Sequence, residues 1–418
     1  MKINYALVFF IFIIFFVISF LSNILGPLIP DLVSSFDLSL GLAGFLPFAF
    51  FVAYGVASIP SGLLVEKYKA KKVLVSAFFL AFTGAILFAL IPSFQIALLS
   101  LFIIGVGMAM LQVVINPLLR TVGGESEFAF NSVLAQLFFG AASFVSPLLY
   151  SYFVQNIHSG KASGLAAALE NLVPQNLTWV SLYWVFAVIS LLMVLVIVSV
   201  KFPKVEFKED EKIDTGVAFS ELKSNRMVWL YFLGIFAYVG TEQGVANWVS
   251  QFLQTYHQAD PSTVGASVIS NYWGLLTIGC LLGLLLLKIF DSRKVLQLFT
   301  MGAFISLLAG LFGDLATAKI AFPLVGFFGS VMWSIIVSLA LNSVPKHHGT
   351  FSGILCTGIC GGAIVPLIIG NLADWIGLKW AMLFLTITLG YIFSIGIWAR
   401  PLITNSTIRN RKEEAVNS

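Results

Sequence analysis

Two pairs of amide side chains, Gln112 with Asn116 and Gln243 with Asn247, sit four residues apart inside long apolar runs of the sequence. In a helix that spacing stacks both members of a pair on one face. An amide donates and accepts hydrogen bonds, which suits a polyhydroxyl ligand whose every hydroxyl must exchange a water bond for a protein one. Asn and Gln also serve as glue between helices in lipid, so a purely structural use competes with this one. Ser22, Asn23, Asn131, Gln136, Asn271 and Asn342 extend the set of polar groups within apolar runs. Trp248, Tyr272, Trp273 and Trp333 lie near them in the chain. A ring beside amides can stack on the apolar face of a sugar, or it can simply pack between helices or at the membrane interface.

Glu242 is the only acidic residue well inside any of these runs, about 4 to 5 Å from the middle of its own at 1.5 Å per residue. An ionised carboxylate at that depth costs roughly 2.5 to 3.5 kcal/mol. It should therefore line a wet cavity, hold a cation, keep its proton, or be tied to a neighbouring helix. Other chemistry finds little support. Gly123-Gly124-Glu125 lacks the Lys and Ser or Thr that a phosphate-cradling loop requires. His158, His257, His347 and His348 fall in loops or at the ends of apolar runs, without catalytic partners. Cys280, Cys356 and Cys360 fall inside apolar runs without the partners of a zinc site, and they read as small buried residues. No nucleophile, base or metal constellation converges, so an enzyme is not expected. Neither a cofactor nor a nucleic-acid partner is expected, although a proton or sodium ion could accompany a solute.

The elements that must position these groups follow from composition. Hydrophobic residues make up 59% of the 418 and charged residues only 10%, with a mean hydropathy of +0.98. A soluble chain carries about a quarter charged residues, whereas lipid demands apolar helices whose backbone bonds close internally. A span needs about 20 apolar residues, and twelve such spans are predicted, at 5–29, 41–65, 73–92, 95–119, 129–153, 178–200, 227–252, 264–289, 295–312, 319–344, 350–372 and 380–399. With both termini cytoplasmic, all of the 23 Lys and Arg residues but Lys161, Lys319 and Lys379 face inward, so the opposite topology is disfavoured.

A charged stretch at 201–226 separates an N-terminal half at 1–200 from a C-terminal half at 227–400, and a tail follows at 401–418. The run Lys208 to Lys212 within the linker reads as a solvated segment. A repeat supports the two halves: Glu66 to Leu74 and Lys288 to Leu296 are short basic turns entering a helix, offset by 222 residues. Gly140 to Pro147 and Gly361 to Pro366 echo each other in spans 5 and 11. Two six-helix repeats around a midplane site are a transporter plan.

On these segments the chain resembles the major facilitator superfamily, and within it the fucose, galactose and glucose transporter family. Three stretches carry the likeness. The turn from span 4 to span 5 reads Gln112 to Pro117, then Gly124-Glu125-Ser126, then Asn131 and Leu134-Ala135-Gln136; span 11 reads Gly361 to Pro366; span 1 reads Asn23 followed by Leu28-Ile29-Pro30. The basic turn from Gly62 to Lys72 is similar to the superfamily's loop signature, with Lys69 where a glycine is usual. The resemblance implies a twelve-helix, all-α membrane fold that moves a monosaccharide or sugar derivative by alternating access, with Asn23 and Gln136 kept at sugar-binding positions. A further family asparagine aligns with Phe139, and the two acids that couple protons in the family's fucose symporters align with Gly26 and Gln112.

The resulting expectation is a monomeric, multi-pass sugar symporter of a plasma membrane, namely a bacterial inner membrane. Asn23, Gln112, Asn116, Gln136, Gln243 and Asn247 would meet hydroxyls, Trp248 and Trp333 would supply stacking faces, and Glu242 would couple an ion. A uniporter or exporter of another small neutral solute, or a transport-derived sugar sensor, is the alternative.

Overall fold

A computed structural model of the chain describes residues 5–124, 128–160, 163–203, 216–344 and 347–402. The charge run Lys208 to Lys212, Glu125 and Ser126 of the span 4 to 5 motif, Lys161 and the tail from 403 lie outside the described residues. Helices account for the regular structure, and no strand forms among the described residues. Among the described residues, eleven helical runs are long and apolar enough to cross a membrane, including Tyr5–Phe36, Leu40–Val65, Phe94–Gly123, Asn131–Asn156, Pro261–Ile289, Leu315–Leu341 and Thr350–Ile376. Span 7 is the helix Arg226–His257, whose 32 residues measure about 48 Å and exceed a hydrocarbon core of about 30 Å. Thr241, Glu242, Gln243 and Asn247 dilute its apolar character.

Span 1 departs from expectation. It runs to Phe36 rather than to 29, and it consists of two helices, Tyr5–Ser22 and Leu25–Phe36, that break at Asn23 and Ile24. Pro27 accounts for the break, because it offers no N–H to the Asn23 carbonyl one turn earlier and its ring crowds that turn. The longer span takes in Asp31, so Glu242 is not the only acid inside the membrane helices. Span 11 is interrupted in the same way by a tighter turn at Gly358–Cys360, ahead of Gly361, Gly362 and Pro366. In the basic turn between spans 8 and 9, Asp291 accepts from the Arg293 guanidinium at 2.8 Å and from its backbone N–H at 2.8 Å. These bonds hold the Asp291 carboxyl below the usual carboxylate range.

Core packing divides into two clusters. One gathers residues from Leu7 to Ile197, and the other is built mostly from Leu222 to Ala399. Ala266 and Ala363 pack with the first cluster and Ile29 and Ala43 with the second, marking where the halves touch. Four hydrogen bonds between described residues join the halves. Leu40 and Gly41 donate their N–H groups to Asp374, Gln155 donates to the Ser262 carbonyl, and Ser270 donates to the Phe144 carbonyl. Because successive spans alternate in direction, all four lie in the half of the bundle away from the face where the described chain begins at Tyr5 and ends at Leu402. Span 1 crosses span 7 closely there: a methyl group at Gly26 would stand 2.1 Å from the Ala246 carbonyl oxygen, which nothing larger than glycine avoids without moving a helix.

Candidate functional site

Glu242 lies halfway along the span 7 helix, and a helix brings residues three to four apart onto one face. Tyr238, one turn earlier, donates its hydroxyl to one Glu242 carboxylate oxygen at 2.5 Å, while the Gln243 amide donates to the other at 3.2 Å. Asn247 continues the chain by donating to the Gln243 side-chain oxygen at 3.2 Å and to its carbonyl at 2.8 Å. From span 8 the Tyr272 hydroxyl donates to the Glu242 carbonyl at 3.3 Å. Trp333 of span 10 is half-buried with its ring 6.2 Å from that of Tyr238. Both carboxylate oxygens therefore face donors, an arrangement that can stabilise an anion and hand over a proton. Sodium wants several acceptor oxygens, and the Gln243 side-chain oxygen is already occupied by Asn247.

Trp333 thus packs near Tyr238, the residue that bonds the acid, and its ring is only half-buried. Trp333→Phe is expected to retain part of the sugar affinity and Trp333→Ala to lose most of it, read by isothermal calorimetry on the purified protein. Equal and mild losses would assign the ring to packing alone.

Spans 1 and 5 form a second polar group. Asn23, freed from regular helix by the Pro27 break, donates to Ser143 at 2.9 Å and to Ser19 at 3.3 Å, and Ser19 also bonds the Phe139 carbonyl at 2.6 Å. The amide nitrogen of Asn23 is committed to these neighbours. Its side-chain oxygen has no protein donor among the described residues. Gln112 is half-buried, and Asn116 and Gln136 are exposed; among the described residues none of the three has a hydrogen-bond partner. They lie in the stretches of spans 4 and 5 nearest the face that carries the termini, where no hydrogen bond described above joins the halves. The helix Phe128–Asn156 places Gln136 eight residues, about 12 Å, from its start.

Trp248 does not join this set. It is fully buried, its indole N–H donates to the Pro366 carbonyl at 3.0 Å, and its ring lies against Gly370, so it fastens span 7 to span 11 instead of offering a stacking face. Gln243 and Asn247 are also buried and bonded to each other, which makes them supports of Glu242 first. Two residues escaped the sequence reading. Asp31 accepts the Tyr150 hydroxyl at 2.7 Å, and its place in a span was hidden by Pro27 and Pro30 beside it. Tyr238 was legible only from its spacing to Glu242.

The sequence profile of the Major Facilitator Superfamily matches residues 11–355. A glucose/galactose transporter of Brucella abortus is 29% identical over 92% of this chain and 92% of its own length. The L-fucose-proton symporter of Escherichia coli is 26% identical over 87% of this chain and 86% of its own. The crystal structure of the Escherichia coli fucose:proton symporter superimposes with a TM-score of 0.66 at 24% identity, over 94% of this chain and 98% of that one. A bacterial homologue of the human lysosomal transporter Spinster gives a TM-score of 0.76 at 15% identity, over 95% of this chain and 98% of that one.

Proposed function

The chain belongs to the Major Facilitator Superfamily, and from that premise we propose that it carries a monosaccharide across the membrane together with a proton. The observation that carries this reading is the division of labour between the halves. Free amides, Gln112, Asn116 and Gln136, stand on spans 4 and 5, while an acid held by donors at mid-helix, Glu242, stands on span 7. Amides without protein partners are what sugar hydroxyls require, because a buried hydroxyl left unbonded costs about 1–3 kcal/mol. A carboxylate in a helix bundle is costly unless its charge is used or neutralised. The names borne by the relatives, a glucose/galactose transporter and a fucose-proton symporter, support both the ligand class and the ion.

Glu242 takes the coupling role because the positions aligned with the family's proton-coupling acids cannot fill it. Gln112 is an amide, and Gly26 lies against the Ala246 carbonyl, where a carboxylate side chain has no room while spans 1 and 7 are in contact. Alternating access would open the two ends of the bundle in turn around the midplane. The placement of Lys and Arg supports a topology with both termini cytoplasmic, in the inner membrane of a bacterium. A monomer suffices, since the proposed site lies between the chain's own halves.

Titration of the purified protein with glucose, galactose and fucose, followed by tryptophan fluorescence, tests the ligand class. Saturable binding of at least one, displaced by an unlabelled competitor, is expected. No binding of any of the three would overturn the sugar reading.

A further inference from the structure

We propose that the Asp374 carboxylate is a latch that holds the two halves together at the face opposite the termini. Its release would shift the protein toward the state open at that face. The contact begins with a general problem: the first N–H groups of any helix lack partners within it. At the start of span 2 the Ser39 hydroxyl serves Leu42 at 3.2 Å. The N–H groups of Leu40 and Gly41 are left over, and each meets an oxygen of Asp374, at the far end of span 11, at 2.9 Å.

The internal repeat shows why the partner comes from the other half. The offset of 222 residues that relates Glu66 to Lys288 also relates Leu38 to Asp260 and Leu40 to Ser262. At the start of span 8 the chain caps its own helix, with Asp260 accepting from the Ser262 N–H at 2.8 Å and from its hydroxyl at 2.9 Å. In the first half the residue at that offset is Leu38, whose side chain has no acceptor, and the capping residue beside it is Ser39, whose hydroxyl reaches only Leu42; the N–H groups of Leu40 and Gly41 are therefore served by a carboxylate from span 11.

The surrounding packing is independent evidence that the two segments are built to meet. A methyl group at Gly370, one turn before Asp374, would stand 2.4 Å from the Leu40 carbonyl oxygen; at Gly44, one turn after Leu40, it would stand 3.0 Å from the Leu367 Cα. Backbone meets backbone on both sides of the latch. The ties between spans 5 and 8 are neutral: at this edge Gln155 reaches the Ser262 carbonyl at 3.4 Å, and Ser270, deeper in the bundle, reaches the Phe144 carbonyl at 2.7 Å. Bonds to an ionised carboxylate are about twice as strong as neutral ones, and an anion is favoured at a helix start. Asp374 therefore dominates the polar closure at this edge, and separating the halves removes both of its bonds.

The test measures conformation directly and does not depend on the identity of the transported solute. Spin labels at Ser34 and Ala316, exposed positions on opposite halves at this face, report its opening by pulsed electron resonance in a background where Cys280, Cys356 and Cys360 are alanine. Asp374→Ala is expected to raise the ratio of long to short distances by roughly fivefold or more, the discount for exposure included. Asp374→Asn, which keeps the shape but offers one acceptor oxygen and no charge to two N–H groups, should shift the ratio in the same direction by a smaller factor. An unchanged distribution in Asp374→Ala overturns the latch. If that variant does not fold, an unchanged distribution in Asp374→Asn overturns it equally.

Discussion

Glu242→Gln is expected to abolish uphill sugar accumulation while leaving exchange of sugar down its own gradient intact. The amide keeps the shape of the carboxyl and can still meet Tyr238 and Gln243, so the bundle should hold together. What it cannot do is gain or lose a proton, and coupling in this account is that one event. In liposomes the wild type should hold sugar above its external concentration under an imposed gradient, and the variant should settle at a ratio of about one. Counterflow needs no ion release and should persist at a comparable rate. A glutamine variant that still concentrates sugar would return Glu242 to a structural role, with its carboxylate bonded by Tyr238 and its carbonyl by Tyr272.

The second large effect is expected at Gln136. Its amide is exposed and has no partner among the described residues, so Gln136→Ala removes nothing that the fold uses. Helical content and expression should be unchanged. A bound sugar would lose one or two bonds, and its hydroxyls would be left facing a methyl group, at about 1–3 kcal/mol. That corresponds to roughly a 5- to 150-fold weaker affinity, measurable by calorimetry. Unchanged affinity would take Gln136 out of the site and leave Gln112 and Asn116 as the amides to examine. The contrast with Asn23 is instructive, because its amide already bonds Ser19 and Ser143, and its loss should disturb the packing of spans 1 and 5 as well as any ligand.

Much of the fold was legible because lipid leaves few solutions. Long apolar runs must be helices, and their number, order and basic loops follow from solvent physics alone. What escaped was set by contacts between distant segments. The end of span 1 was expected at 29, just before Pro30, whereas a second helix restarts after a break at Asn23 and runs through both prolines to Phe36. Asp31 was missed with it. Trp248 looked like a stacking ring from its neighbours in sequence, but Gly370 and the Pro366 carbonyl, over a hundred residues away, decide that it is core.

Asp374 shows the same limit from the other side. Its partner N–H groups belong to residues more than three hundred positions earlier, and no local pattern could have paired them. The repeat offset did contain a trace, in that Leu38 stands where its counterpart is an aspartate. The spacing of Glu242 to Tyr238 and Gln243 was readable because all three share one helix. The local sequence pattern therefore located the acid, whereas the roles of Tyr238, Gln243 and Asn247 as its supports and the choice of groups left free for a ligand were decided by the fold.

The central claim, proton-coupled movement of a monosaccharide, is tested most directly with purified protein in liposomes given labelled glucose, galactose or fucose under three conditions: no gradient, an inward proton gradient and an inward sodium gradient. The account predicts equilibration without a gradient, accumulation above the external concentration under the proton gradient, and no such accumulation under sodium. Accumulation driven by sodium, or equilibration alone under every condition, would contradict it.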